Sequence, residues 1–227
     1  MYKYIIYCSL KLVNNFRIIN GSSIPWTKTD FAVLLALSPG KLTQFTDENG
    51  KGLENSICRK VFVQVNNTEM GMIIKGKDVS NPVLLFVHGG PGMTEYFLEQ
   101  DYPTGLEDYF TVVWWDQRGA GLSYHGDMDE STMTTEQFID DTIAVINYLR
   151  ERFGQDKIYL MAHSWGTFFA IQAVKKAPEL YSAYIGVEQV SYQNESEKLA
   201  YEYIIPFLLS LADSITSSAA HNFSKKL

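Results

Sequence analysis

Between Lys60 and Val65 the chain reads KVFVQV, and Val61, Val63 and Val65 fall on one face. Such strict alternation predicts a half-buried strand. MGMIIKG (70–76) follows a short turn at NNTE, which predicts a hairpin. PVLLFV (82–87) has no alternation, and an unbroken apolar run of that length predicts a strand buried on both faces of a parallel sheet. TVVWWDQRG (111–119) and KIYLMAHS (157–164) repeat that pattern, and YSAYIGVEQV (181–190) reads as one more strand.

Helical spacing takes over between the strands. In residues 134–154, Phe138, Ile139, Ile143, Ile146, Leu149 and Phe153 recur with the helix period, behind Thr134 or Thr135 as cap and ahead of Gly154 as stop. WGTFFAIQAVKKA (165–177) is helical and stops ahead of Pro178, and residues 195–214 predict a helix interrupted at Pro206. Buried strands alternating with helices after an opening hairpin give an α/β fold with a mostly parallel sheet. Residues 1–50 lack a period and close on a Gly-, Asn-, Asp- and Ser-rich stretch (38–56), so they read as an irregular extension ahead of a core at 51–227.

Composition narrows the class. The chain has 227 residues, enough for one domain, and a formal charge of -7 that argues against nucleic acid as a partner. Cys8 and Cys58 are too few for a disulfide framework or a zinc site, and they favour a reducing compartment. Sequons at Asn20, Asn66, Asn194 and Asn222 carry little weight, because so short a pattern recurs by chance. The apolar run FAVLLAL (31–37) falls short of the about 18 residues that a membrane span needs. The expectation is a cytoplasmic protein, with export or anchoring through the N-terminal segment as the alternative.

Three polar or glycine-rich stretches follow buried strands: HGGPG (88–92), DQRGAG (116–121) and HSWG (163–166). In open α/β sheets, sites form beyond the carboxyl ends of the strands. Ala162-x-Ser164-x-Gly166 between a strand and a helix has the form of a nucleophile elbow, whose sharp turn needs small residues on both sides of the serine. The bland alternative is a serine that caps the next helix. Consecutive glycines in HGGPG would let backbone N–H groups turn outward toward an oxyanion.

These motifs, in this order, resemble the proline iminopeptidase branch of the α/β-hydrolase superfamily over roughly residues 58–205. The resemblance implies an α/β-hydrolase fold and Ser164 as the acylating nucleophile. It also implies an oxyanion hole from the backbone N–H groups of Gly90 and Trp165. The substrate would be a small peptide losing its N-terminal residue, or another amide or ester, with no metal and no cofactor. His88 and Gly89 are read as ordering the glycine loop, and Asp116 and Arg118 as shaping the site rather than reacting. His163 is expected to point into the fold, His125 to sit in a surface loop, and the Trp114–Trp115 pair to belong to the core.

The pattern then breaks. A serine nucleophile needs a later Asp or Glu and a later His, each on its own strand. After Ser164 the only such pair is Asp213 and His221, in a Ser-rich tail with no strand to hold either, so neither is assigned as a triad member. Members of the resembled family continue with a helical lid and further strands. The expectation is therefore an incomplete, C-terminally truncated core with an exposed apolar sheet edge. Three readings follow: a proline iminopeptidase-like serine hydrolase, a related esterase or amide hydrolase, and a catalytically silent remnant that folds poorly or serves only as a binding surface.

Overall fold

The computed structural model describes residues 42–224, with side chains through residue 211, and an isolated antiparallel pairing of Ile18–Ile19 with Ser22–Ser23. The apolar run 31–37 and Cys8 lie outside the described residues. Two compact units divide the chain, residues 1–189 and 190–227.

The first unit is built on a six-stranded sheet. Its strands are β1 (Ile57–Val65), β2 (Thr68–Gly76), β3 (Val83–Val87), β4 (Thr111–Trp115), β5 (Ile158–His163) and β6 (Tyr181–Val187), in the spatial order β1-β2-β4-β3-β5-β6. The hairpin β1–β2 is antiparallel and joins β4 antiparallel, while β4, β3, β5 and β6 run parallel. β3 and β4 are buried at every position, as their unbroken apolar runs require.

Helices α2 (Thr135–Phe153) and α3 (Trp165–Lys176) cover one face. There Phe138, Ile146 and Leu149 of α2 and Phe169 and Ala170 of α3 pack against Leu85, Val87, Trp115 and Leu160. Thr134 Oγ1 accepts the Gln137 N–H at 3.2 Å, and Gly154 stops α2 at a φ of 62°, so both ends follow the sequence signals. The short helix α1 (Tyr96–Asp101) belongs to the opposite face, where Tyr96 joins Ile73, Leu84, Phe86, Val112 and Trp114. The two tryptophans of β4 thus serve opposite faces of one sheet.

At the β6 edge the cover thins: Ile185 and Val187 are 38% and 40% exposed. The second unit consists of a single long helix, α4 (Gln193–Ser224). Its backbone stays helical through Pro206, which corrects the expected interruption. A proline removes one N–H donor and crowds the preceding turn, but the turns on either side keep the helix continuous here. The backbone of Asp213 and of His221 is part of this helix; their side chains lie outside the described residues.

Candidate active site

Ser164 stands between β5 and α3 with a φ of 47° and a ψ of -121°. That region is costly for any residue with a Cβ, by about 1–3 kcal/mol, and persists only where the surroundings impose it. The imposing contacts are local. The Ser164 N–H donates to the Val187 carbonyl on β6 at 2.9 Å, and the Ser164 carbonyl accepts from the Thr167 N–H at 2.9 Å and hydroxyl at 2.6 Å. The serine occupies the cap position of α3, yet its side chain makes no capping hydrogen bond. The strained turn therefore presents the hydroxyl without using it for helix capping.

The loop after β3 meets this turn. Gly89 sits in a tight gap: a Cβ there would stand 3.1 Å from Ser164 Cβ and 3.3 Å from both Glu95 Oε1 and His163 Nδ1, so those side chains would have to give by a few tenths of an ångström. Glu95, just ahead of α1, uses one carboxylate oxygen twice. It accepts the Gly89 N–H at 2.8 Å and faces His163 Nδ1 at 2.8 Å. Gly89 thus spends its own N–H on Glu95. Gly90 adopts a φ of 117°, a conformation suited to glycine. Trp165 is the first residue of α3, where a backbone N–H has no partner inside the helix.

His163 departs from expectation. Alternation along β5 sends Ile158, Leu160 and Ala162 into the helix-covered core, so His163 falls on the other face with Tyr159 and Met161. Its ring lies half-buried between two carboxylates, with Nε2 3.1 Å from Glu188 Oε2. Glu188 follows β6 at a φ of 53°. Burial pulls the His163 pKa down, but the hydrogen bonds and charges of Glu95 and Glu188 outweigh it and raise the value above 6.5. A raised pKa stabilises the fold fully below that ordinary value and loses its effect as pH rises through the raised one. Thermal unfolding should therefore separate wild type from His163→Gln more widely at about pH 5.5 than at about pH 8.5. An equal separation at both would refute the charged bridge.

The remaining expected residues are buried and engaged elsewhere. His88 is 2% exposed, its Nδ1 2.8 Å from the Gly89 carbonyl, and its Nε2 accepts the Gln117 N–H at 3.2 Å. Gln117 returns a side-chain hydrogen bond to the His88 carbonyl at 2.6 Å. Burial lowers the His88 pKa to about 4, so the ring stays neutral at ordinary pH and braces the two loops. Asp116 and Arg118 do not pair with each other. Asp116 Oδ2 accepts the Leu122 N–H at 2.7 Å, and burial pushes its carboxyl up to about 7. Arg118 forms a two-pronged ion pair with Asp141 of α2, at 2.8 and 2.9 Å, and donates to the Asn66 carbonyl at 3.3 Å. His125, in the loop after β4, faces the Glu69 carbonyl at 2.9 Å.

Among the described residues, no imidazole is hydrogen-bonded to Ser164, and no group of three or more His, Cys, Asp or Glu could hold a metal ion. No described helix is long and apolar enough to cross a membrane. Sequence reading passes over Glu95, Glu188, Gln117 and Asp141. Charged or amide residues next to glycine loops and strand ends are a weak signal, and the partners His163, His88 and Arg118 lie 23 to 68 residues away from them in sequence.

Known proteins resemble this chain over much of its length. The family model described as the alpha/beta hydrolase fold matches residues 82–220. A probable aminopeptidase of Bacillus subtilis (strain 168) is 42% identical over 164 residues, covering 72% of this chain and 52% of that protein. A proline iminopeptidase of Clostridium botulinum is 35% identical over 103 residues, covering 45% of this chain and 33% of its own length. The crystal structure of a proline iminopeptidase-related protein from Thermus thermophilus overlaps 57% of this chain and 44% of that one, at 30% identity and a TM-score of 0.49. The chain thus spans about half the length of the first of these relatives and a third of the second. With the family model covering more than half of its residues and the sheet order and elbow in place, this chain belongs to the α/β-hydrolase family.

Proposed function

We propose that Ser164 is the nucleophile of a serine hydrolase of the proline iminopeptidase type, which removes the N-terminal residue of small peptides. The observation that carries this reading is the strained, uncapped serine at the β5–α3 turn. Its hydroxyl oxygen would add to the scissile carbonyl, and the C–N bond would then break, releasing the remaining peptide as an amine. Water would hydrolyse the resulting ester. The backbone N–H groups of Trp165 and Gly90 are assigned to the developing oxyanion. The similarity to proteins named aminopeptidase and proline iminopeptidase supports the substrate class. A free, buried Cys58 fits a cytoplasmic location, where thiols stay reduced.

A second reading has its own observation. Serine catalysis requires an imidazole to take the hydroxyl proton, and the described imidazoles are bound to Gly89 and Gln117, to Glu69, or to Glu95 and Glu188. A chain working without that base would retain only about 10³–10⁴-fold acceleration over water, from the oxyanion hole and binding. Assay of the purified chain on a proline arylamide and a p-nitrophenyl ester, with Ser164→Ala as control, separates the readings. Arylamide turnover that the substitution abolishes supports the peptidase. Turnover of the ester alone makes it an esterase, and a folded protein that turns over neither is catalytically silent.

A further inference from the structure

A cavity of about 460 Å³ lies beside α1, and Ser164 is not among the residues that line it. Lys75 of β2 is in register with Val112, Leu84 and Tyr159, and Tyr159 precedes Ser164 by five residues along β5. At about 3.3 Å per residue, that is roughly 16 Å along the strands alone. Thr43 and Phe45 form one wall of the cavity. Their segment is pinned to β1, because the Thr43 carbonyl accepts from Cys58 Sγ at 3.2 Å and Gln44 Nε2 donates to the Cys58 carbonyl at 3.3 Å.

The wall carries charges that the protein does not fully satisfy. The Glu107 side chain is 6% exposed, and its Oε1 has no hydrogen-bond partner; Lys75 Nζ stands 3.9 Å away, beyond hydrogen-bonding distance. Lys75, itself 9% exposed, faces the ring of Phe45 at 4.9 Å and that of Tyr96 at 5.8 Å. Among the described residues its ammonium donates no hydrogen bond. Glu99, 4% exposed, is held by the Thr104 N–H and hydroxyl. Glu107 Oε1 lacks a hydrogen bond and the Lys75 ion pair is too long to be one, so both buried groups keep hydrogen-bonding capacity that a bound molecule would complete.

We infer that this cavity binds a small zwitterion of the free α-amino-acid class, its carboxylate on Lys75 and its ammonium on Glu107 and Glu99. A simple cation would meet Lys75 and a simple anion the two glutamates, whereas a molecule bearing both charges satisfies both sides. The rings of Phe45 and Tyr96 favour an apolar side chain. A cavity of this size lies within the range of small-molecule sites. Burial and the hydrogen bond with Glu99 push the Glu107 carboxyl up to about 7, so ionised Glu107 is available above neutrality. The titratable groups facing it are Lys75 on β2, Glu99 on α1 and Cys58 on β1, with Lys77 and Asp108 paired at the rim.

Isothermal titration of the full chain with L-phenylalanine at about pH 8 tests this. One molecule should bind per chain, while 3-phenylpropionate and phenethylamine, each lacking one charge, should bind at least about tenfold more weakly. Glu107→Gln, which keeps a hydrogen-bonding side chain beside Glu99, and Lys75→Met should each weaken L-phenylalanine binding by about the same factor. Circular dichroism confirms folding, and Glu107→Gln alone decides if Lys75→Met does not fold. Ser164→Ala should bind as wild type, so the result stands whatever the serine does. Absence of binding at about 10 mM ligand, or binding that survives the cavity substitutions, overturns the site. Binding lost only in Ser164→Ala would move the ligand to the nucleophile and overturn it equally.

Discussion

Asp141→Ala is expected to lower stability by about 3–5 kcal/mol, because it strands the Arg118 guanidinium in the core. Asp141 is fully buried, and its carboxylate gathers elements distant in sequence. It accepts two bonds from Arg118 in the loop after β4, one from Asn66 Nδ2 at the β1–β2 turn at 2.8 Å, and one from Gln137 Nε2 at 2.8 Å. Alanine removes all four acceptor contacts and leaves a charge at 4% side-chain exposure with no counter-ion. The partner change separates geometry from charge. The double substitution Asp141→Leu with Arg118→Met removes both charges and should recover much of the loss, since apolar replacement of a buried pair is often close to neutral. Urea unfolding of wild type, both singles and the double gives the coupling directly. Additive losses, or a cost below about 1 kcal/mol for Asp141→Ala, would show that the pair is not the anchor described.

The second large effect is expected at Gly166. A Cβ there would lie 2.6 Å from the His88 carbonyl oxygen and 2.7 Å from that of Val87, both backbone atoms at the end of β3. No flexible side chain can yield, so the first turn of α3 must move away from the glycine loop. Overpacking of this kind costs about 1–3 kcal/mol for alanine, and valine should cost more. In a chain of this length, each kcal/mol shifts Tm by about 2–4 °C. The same displacement alters the approach of Trp165 and Ser164 to the loop that carries Gly90. Gly166→Ala should therefore reduce any Ser164-dependent turnover more than an equal loss of stability produced at Asp141 does. Calorimetry paired with the arylamide assay measures both, and an alanine variant that melts as wild type would contradict the close approach.

Much of the fold was legible along the chain because its signals are local. Unbroken apolar runs at 82–87 and 111–115 became the two fully buried strands, and the period of 134–154 became α2 with both of its ends correctly marked. The elbow was legible for the same reason, since a small residue on either side of a serine is a steric requirement written within five positions. Pro206 was misread because a local rule met a helix that continues on both sides of it. His163 was misread because alternation says which face a side chain takes and not whether that face is covered at the strand end.

By itself the sequence determined an α/β sheet, its family resemblance and the position of the tight turn at Ser164, because periodicity and steric demands act between near neighbours. Only the tertiary structure decided which charges meet. Glu95 faces His163 across 68 residues and Arg118 faces Asp141 across 23, while Asp116 and Arg118, two apart, do not pair. Those partnerships depend on how loops close over the sheet, and an unpaired charge buried there would be costly. The same closure placed Lys75 and Glu107 in one cavity, although 32 residues of chain separate them.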